Sequence, residues 1–507
     1  SGSKGFGGGG GVLLLLIVAA VAAVFGRTGS LQTSGVRSFV AMPAFPTSAA
    51  ARAAFADRSG SWAAISELIN KAVKDQGFNL QEPGRRGQAQ LSDGPPSAQA
   101  LVRAFGTDPN KIRVKLYRDT HAWCPYCHKV WLQLEEKRIP YVVEKINMNC
   151  YGDKKASFLK KTSRGLLPAI EIDGKFSTES SAIMQSIEDS FPERPLLPPA
   201  GSKERQMAER LLQLERALFG AWLSWLREAD TPAMRRSFEQ TMDATEQALG
   251  QVSSGPFFLG ANISLVDCVF GSTLERIAAS ILYYKGLKVK GGRWQNVNEW
   301  FRAMEKREAY RASMGDWHTH AHDLPPQIGG CIASGTSEQR AAAAAIDGTD
   351  ATSWRLPLPP LAGSLEEASE APGCDRLEAA TAVVWCHQGC LRSGCASSGA
   401  DPAAADAALR LVVLALVEGV DSHNSSLVWD TTAGGKPAAA AAALRWTRDR
   451  ISVPRDMSFP AARQLRAHLN WVADQIDPTH GSWKGVPIAS QSRRDMDPKI
   501  FHGAAHV

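Results

Sequence analysis

The 507-residue chain is poor in cysteine, in excess charge and in long apolar segments, and each shortage excludes a class of protein. Nine cysteines are too few for a disulfide-rich secreted scaffold, and their odd number leaves at least one thiol unpaired, which favours a reducing compartment. A net charge of +6 without a long basic run gives no reason to expect a nucleic-acid partner. The apolar run from Val12 to Phe25 has 14 residues, fewer than the ~20 that cross a membrane.

Residues 1–60 have the composition of a targeting leader. The apolar run has the length of a signal-peptide hydrophobic region, and the segment after it carries arginines among many Ser, Thr and Ala, with Asp57 as the first acidic residue. This order resembles the two-part leader of proteins sent to plastids that are bounded by extra membranes. We therefore expect a plastid protein that is soluble after removal of the leader. The alternative is a membrane anchor at residues 12–25.

The rest of the chain has an ordinary globular composition, with 44% apolar and 21% charged residues, and it is long enough for several domains. Apolar residues that recur every two positions predict strands, and those that recur every three or four predict helices. The order βαβ and then ββα predicts a small four-stranded mixed sheet, and helical patterns follow it. The predicted segments are a leader at 1–60, a helix and linker at 61–108, an α/β domain at 109–198, an all-helical domain at 199–327, a Gly/Ser/Pro-rich linker at 328–374 and an extra helical domain at 375–507.

The sequence WCPYCHKVW, from Trp123 to Trp131, follows the first predicted strand of the α/β domain. Cys124 therefore falls at the N-terminus of the next helix, where unpaired amides and the positive end of the helix dipole favour a thiolate. Cys127 lies one turn further in and is the candidate resolving thiol. We interpret Cys124 and Cys127 as catalytic residues of a thiol-transfer reaction. The alternatives are half of a zinc site or a buried structural pair, and no second half-site lies nearby in the sequence.

Three motifs in this order, CPYC, GLLP at Gly165 to Pro168 and TES at Thr178 to Ser180, resemble the glutathione S-transferase superfamily. The dithiol is similar to glutaredoxins and to cysteine-type, omega-like and iota-like transferases, whereas the commonest transferases use Tyr or Ser. Tyr117 is the only residue near the place of that Tyr, and we expect it to be a packing residue. The resemblance implies a thioredoxin-like α/β domain followed by the all-helical transferase C-terminal domain, over roughly 111–327.

The resemblance also implies a glutathione site. Its residues would be Lys154 at the glycine carboxylate, Leu167 before a cis Pro168 at the cysteinyl backbone, and Glu179 with Ser180 at the γ-glutamyl end. Glutathione would be the co-substrate, with no metal expected. The capping-box pattern at Ser264 and Asp267 begins a helix and is a folding element.

These observations predict a glutathione-dependent thiol transferase. Its acceptor would be a small-molecule or protein mixed disulfide, dehydroascorbate or a glutathionyl quinone. The resemblance implies a homodimer, and the extra helical domain is a candidate to block that interface or to bind a protein partner. The alternative function is a redox-sensing or assembly scaffold that keeps the transferase fold without catalysis.

Two further clusters have weaker patterns. His318, His320 and His322 would project to one side of an extended segment, flanked by Asp316 and Asp323, and such a set suits a metal. We favour a polar segment that caps the helical domain or lines the acceptor pocket. Three cysteines follow in one helical pattern, at Cys386, Cys390 and Cys395, with His387 between the first two; we favour small buried side chains over a metal or redox cluster.

Overall fold

The computed structural model describes residues 61–77, 92–162, 164–358, 372–420, 436–478 and 493–494. The predicted leader at 1–60 lies outside these residues. Within the described part of the chain, no helix has both the length and the apolar character needed to cross a membrane.

The α/β domain is built on one mixed sheet of five strands in the order β1-β3-β2-β4-β5. Strands β2 and β3 are parallel and the other pairs are antiparallel. Its elements are β1 (Val102–Arg103), β2 (Val114–Asp119), α2 (Pro125–Lys137), β3 (Tyr141–Ile146), α3 (Ala156–Leu159), β4 (Ala169–Ile172), β5 (Lys175–Thr178) and α4 (Ser180–Ser190). Helix α1 (Trp62–Asp75) precedes them.

The fold-class prediction is confirmed, with one correction, because the sheet has five strands and not four. Strand β1 has only two residues, too few to show an alternating pattern. Long-range contacts hold it in place: the Arg103 Nε donates to Glu135 Oε1 at 2.8 Å, and both side chains are buried.

The all-helical domain begins with α5 (Lys203–Arg227) and α6 (Pro232–Gly250), which pack against each other. Helix α7 (Leu265–Lys285) runs through its centre with all but one residue buried, and the predicted capping box of Ser264 and Asp267 is present at its start. Trp222 and Trp225 of α5 are buried in the core. The remaining helices are α8 (Gln295–Glu305), α9 (Glu308–Ser313), α10 (Trp317–Asp323) and α11 (Pro325–Ile328).

Part of the segment predicted to be a linker packs as a helix, α12 (Ser337–Ile346). Its Gln339 Nε2 donates to the Tyr283 carbonyl at 2.8 Å, and Tyr283 in turn donates to Asp347 Oδ2 at 2.8 Å. The small residues that predict a linker here include a run of alanines, and alanine is the best helix former. The expectation that little of this segment packs is therefore wrong.

Four long helices follow, α13 (Pro372–Ser398), α14 (Pro402–Glu418), α15 (Pro437–Arg448) and α16 (Phe459–Ile476), close to the ranges that periodicity predicts. Helix α1 precedes the transferase-like domains in the sequence, but it packs on α13 and α14, which follow them. The Trp62 ring stacks on His387 with a centroid distance of 4.2 Å, and the Trp62 Nε1 donates to Asp406 Oδ1 at 2.8 Å. Helices α1 and α13 to α16 thus share one apolar core, called the terminal helical unit below.

Candidate active site

Cys124 lies at the N-cap of α2, directly before Pro125, as the sequence predicts. The loop that carries it is fixed by Asp119, the last residue of β2. The Asp119 Oδ2 accepts the backbone N–H of Trp123 at 2.7 Å and that of Cys124 at 3.2 Å. The two Sγ atoms of Cys124 and Cys127 and a carboxylate oxygen of Asp119 lie within 4.8 Å of one another, and all three residues are buried. Sequence reasoning did not single out Asp119, although its place at the end of the strand before the catalytic loop is a usable sign.

Cys127 is the more deeply buried thiol, with 1% of its surface exposed. Burial, a hydrogen bond with Cys124 and the charges of Cys124 and Asp119 raise its pKa well above the usual range. Lys154 lies close enough for both cysteines to stabilise its positive charge, but burial outweighs them and lowers its pKa. Its Nζ donates to the Asn147 carbonyl at 3.0 Å. The structure therefore places Lys154 near the predicted dithiol of Cys124 and Cys127.

Four of the five predicted glutathione-site residues border a cleft of about 690 Å³ next to the start of α2. Leu167, Pro168, Glu179 and Ser180 line it, together with Tyr126, whereas neither cysteine of the dithiol nor Lys154 is among its lining residues. The opposite wall comes from α5 and α7 of the helical domain. A cleft of this size, with apolar walls and a few polar groups, is typical of a small-molecule site.

Backbone geometry in two cleft segments is unusual. The Leu167–Pro168 peptide bond is cis, as the resemblance implies. Glu179 has a φ of +69° and is the N-cap of α4, so Ser180 is the first residue of that helix. Non-glycine residues with positive φ are uncommon and occur often at functional sites. The exposed Glu179 carboxylate lies 3.8 Å from the Arg164 guanidinium.

Two charged side chains that sequence reasoning missed line the cleft, one from each domain. Lys129 of α2 lines the cleft, and its Nζ lies 5.4 Å from the centre of the Tyr126 ring. Glu215 of α5 also lines it, and its Oε1 accepts the Thr273 hydroxyl. Burial raises the pKa of Glu215, although the hydrogen bond from Thr273 and the charge of Lys129 oppose this shift. These residues stand far apart in the sequence, and no local motif marks them.

Arg276 of α7 connects the helical domain to the loop that carries Cys124. Its Nε donates to the Trp123 carbonyl at 3.0 Å, and its Nη2 donates to the same oxygen. Its Nη1 contacts His128 Nδ1 at 3.2 Å; since a guanidinium only donates, the neutral His128 ring carries its proton on Nε2 and donates to Ser313 Oγ at 2.9 Å. Burial lowers the pKa of His128 to about 3; the negative charge of Glu275 opposes this shift, and Arg276 and His320 add to it.

The buried His128 predicts acid sensitivity of the fold. Its folded-state pKa of about 3 lies below the usual value near 6.5, so below pH 6.5 the unfolded chain binds a proton that the folded chain does not. We expect the free energy of unfolding to fall by about 2 kcal/mol between pH 7 and pH 5 from this group. Urea unfolding at the two pH values measures it. His128→Gln should remove this part of the loss in unfolding free energy. If the difference between pH 7 and pH 5 is the same in the variant, His128 is not its source.

The histidine segment is a helix and not an extended strand, so the three rings do not share one side. His320 Nε2 lies 2.5 Å from Glu275 Oε1, and His322 Nε2 lies 2.6 Å from Asp347 Oδ1. His318, His322 and Asp347 offer ligand atoms within 4.8 Å of one another. The Arg466 guanidinium lies 3.4 Å from His318 Nδ1, and this positive charge opposes a cation there. The expectation of an extended segment is wrong because Asp316, the N-cap of α10, accepts the Thr319 N–H and begins a helix.

The cysteine cluster lies on α13. Cys386 and Cys390 face the same side, with their sulfur atoms 3.5 Å apart. The Cys386 pKa is raised well above the usual range by the hydrogen bond with Cys390 and by burial. Cys390 is buried in the apolar core of the terminal helical unit, whereas Cys386 and Cys395 are half-buried, so the interpretation as small buried side chains fits Cys390 best.

Comparison with known proteins gives matches in both transferase-like domains. Residues 123–190 match the family model of the glutathione S-transferase N-terminal domain, and residues 215–303 match that of its C-terminal domain. The chain is 28% identical over 193 residues to glutathione S-transferase DHAR2 of Arabidopsis thaliana, which covers 37% of this chain and 82% of that protein. It is 27% identical over 241 residues to the chloroplastic glutathione S-transferase DHAR3 of the same plant, 44% of this chain and 80% of that protein. A crystal structure of glutathione transferase Omega 3C from Trametes versicolor is 28% identical, covers 40% of this chain and 90% of its own, and has a TM-score of 0.35.

A mixed sheet with flanking helices, joined to an all-helical domain across a cleft, defines a two-domain part of the chain whose first domain is thioredoxin-like. Both family matches fall within these two domains. The two domains are similar to those of glutathione S-transferases, and these matches support an enzyme of the glutathione transferase type, a family whose co-substrate is glutathione.

Proposed function

We propose that this chain is a cysteine-type, glutathione-dependent thiol transferase, with Cys124 as the nucleophile. The observation that carries the proposal is the position of Cys124 at the N-cap of α2, beside a second thiol and a cleft with the predicted glutathione residues. A tyrosine-type reaction has less support, because Tyr117 is fully buried and its hydroxyl donates to Glu171 Oε1 at 2.9 Å.

The proposed reaction begins when the Cys124 thiolate attacks the glutathione sulfur of a mixed disulfide. The acceptor leaves as a thiolate and takes a proton, and Cys124 carries glutathione in a new disulfide. The thiolate of a second glutathione then attacks this sulfur, which releases glutathione disulfide and restores the Cys124 thiolate. Cys127 is proposed as the alternative resolving thiol. The helix N-terminus suits Cys124 as the leaving group because it stabilises the thiolate.

Glutathione is proposed to bind in the cleft, with Lys154 at its glycine carboxylate. The backbone of Leu167 before Pro168 would pair with the cysteinyl part, and Glu179 with Ser180 would hold the γ-glutamyl end. Proposed acceptors are small-molecule or protein mixed disulfides, dehydroascorbate and glutathionyl quinones. Relatives named as DHAR proteins and as chloroplastic transferases agree with such a role and with a plastid location after removal of the leader.

A second candidate function is a redox-sensing or assembly scaffold that keeps the transferase fold and binds a protein partner through the terminal helical unit. The terminal helical unit favours it, because this unit lies outside both family matches and has an apolar core of its own. Small-molecule thiol transfer needs no such unit.

The test is turnover by protein without residues 1–60. Reduced glutathione and a small hydroxyethyl disulfide form the mixed disulfide, and glutathione reductase reports the glutathione disulfide produced. We expect clear turnover, with slow conjugation of chlorodinitrobenzene in a parallel assay. Conjugation without disulfide turnover would contradict the thiol-transfer proposal, and a folded protein inactive in both assays would favour the scaffold.

A further inference from the structure

The peptide between Trp123 and Cys124 is held from two sides by buried ionic side chains. On one side, Asp119 accepts both backbone N–H groups of this pair. On the other, Arg276 donates two N–H groups to the Trp123 carbonyl oxygen. Arg276 is 1% exposed and its carbon Cζ lies 5.4 Å from the centre of the Trp123 ring. Three backbone atoms next to the proposed nucleophile are thus fixed, and one of the two anchors comes from the helical domain.

Arg276 is itself fixed in its orientation. Its Nη1 donates to the Ser272 carbonyl at 2.8 Å, one turn earlier in α7, and contacts the His128 ring. The neighbouring Glu275 supplies a negative charge, and it is in turn bonded by His320 and by the Gly315 N–H at 2.7 Å. The guanidinium therefore has a fixed position in a buried network, which is the condition for a preorganised electrostatic effect.

The positive charge of Arg276 acts on the proposed nucleophile. Burial lowers the pKa of Arg276, while the negative charges of Glu275, Cys124 and Asp119 oppose this shift. The electrostatic attraction between this guanidinium and a negatively charged Cys124 sulfur is mutual. Among the described residues, Asp119 and Cys127 lie beside Cys124, and Tyr126, Lys129, Lys154 and Arg276 interact with it electrostatically.

Among these groups, Arg276 combines three properties. It is permanently charged at ordinary pH, it is fully buried and it bonds directly to the catalytic loop. Lys154 is half-buried and donates to a carbonyl elsewhere, and Lys129 stands over the exposed Tyr126 ring in the cleft wall. The influence of Arg276 should therefore be the least screened by solvent.

We propose that Arg276 is a positioning residue for the thiol-transfer reaction: it fixes the Trp123 carbonyl, and its charge favours the reactive form of Cys124. This inference rests on the proposed function in one respect, the identity of Cys124 as the reacting thiol. The helical domain would thus help to position the nucleophile, in addition to forming one wall of the cleft.

The test compares Arg276→Gln and Arg276→Lys with the unaltered protein. Gln keeps one donor for the carbonyl but no charge, and Lys keeps the charge but lacks the paired donors. The rate of Cys124 alkylation by iodoacetamide is followed by peptide mass spectrometry from pH 6 to pH 10, and kcat and KM are measured for the glutathione mixed disulfide. Arg235→Gln, which alters a half-exposed ion pair on α6, is the control.

For Arg276→Gln we expect alkylation at pH 7 to be about tenfold slower and to recover at high pH, since charge loss changes the ionised fraction more than the reactivity of the thiolate. The kcat should fall about tenfold, with KM within about twofold. Arg276→Lys should keep the pH profile of alkylation and lose about threefold in kcat. A folded Gln variant with an unshifted alkylation profile would overturn the proposal.

Two outcomes separate this inference from the proposed function. If the unaltered protein does not turn over the mixed disulfide but Arg276→Gln still slows alkylation at pH 7, the thiol-transfer proposal fails and the role of Arg276 stands. If turnover occurs and neither Arg276 variant changes alkylation or kcat, the role of Arg276 fails alone. If Arg276→Gln does not fold, Arg276→Lys decides, because wild-type kcat in that variant excludes a need for the paired donors.

Discussion

Replacement of Cys124 by Ser is expected to lower kcat/KM for a glutathione mixed disulfide by about 1000-fold or more. A serine hydroxyl is not ionised at neutral pH and forms no disulfide, so both steps of the proposed reaction are lost. The buried position of Cys124 at the N-cap of α2 leaves the fold little reason to change with this nearly isosteric substitution. The coupled assay with glutathione reductase measures the effect.

Cys127→Ser should lower kcat/KM only a few fold in the same assay. Its thiol is 1% exposed and its raised pKa keeps it protonated, so glutathione from the cleft is the better resolving thiol. Cys331→Ser is the matched control, since burial raises the pKa of this half-buried cysteine to about 12. Equal losses in the Cys124 and Cys127 variants would show that resolution is internal, and an active Cys124→Ser protein would refute the assigned nucleophile.

Asp267→Ala is expected to lower the free energy of unfolding by about 3–5 kcal/mol. The Asp267 carboxylate is fully buried and accepts four hydrogen bonds. They come from the Ser264 N–H at 2.8 Å, the Ser264 hydroxyl at 2.6 Å, the Phe258 N–H at 3.1 Å and the Trp300 indole N–H at 2.9 Å. Alanine leaves these donors without a partner at the start of the central helix α7. Urea unfolding followed by circular dichroism is the measurement.

Asp243→Ala is a matched control for this loss. Asp243 also accepts a tryptophan N–H, that of Trp294 at 2.7 Å, and pairs with Arg293 at 2.8 Å, but its side chain is half exposed. Water can satisfy the donors that this substitution frees, and we expect a loss below about 1 kcal/mol. If both variants lower the free energy of unfolding equally, burial does not explain the contribution of the Asp267 hydrogen bonds to stability.

Local patterns in the sequence predict most of the transferase-like fold. Alternating residues predict β4 at 169–172 because strand periodicity is visible within four residues, and the Ser264–Asp267 pair predicts the start of α7 because capping acts within one turn. The catalytic loop is also local, since strand, cysteine and helix follow each other directly. What the sequence does not show is the set of contacts that join distant segments.

Arg276 illustrates this limit. Its contact with Trp123 spans 153 residues, and nothing in the surrounding helical pattern marks this arginine as a partner of the Cys124 loop. The histidine segment fails for a related reason. Alternation of His318, His320 and His322 suits an extended chain, but the N-cap Asp316 and the pairing of His320 with Glu275 stabilise a helix.

The packing of α1 on α13 and α14 makes the transferase-like part an insertion within another folding unit. Ile65 and Ile69 of α1 are buried in the same core as residues beyond position 372. During synthesis this core cannot close until the last helices have been made, whereas the transferase-like domains can fold earlier from contiguous chain. A truncation that removes only residues 375–507 would therefore expose the apolar face of α1, and it would also remove Arg466, the buried ion-pair partner of Asp316.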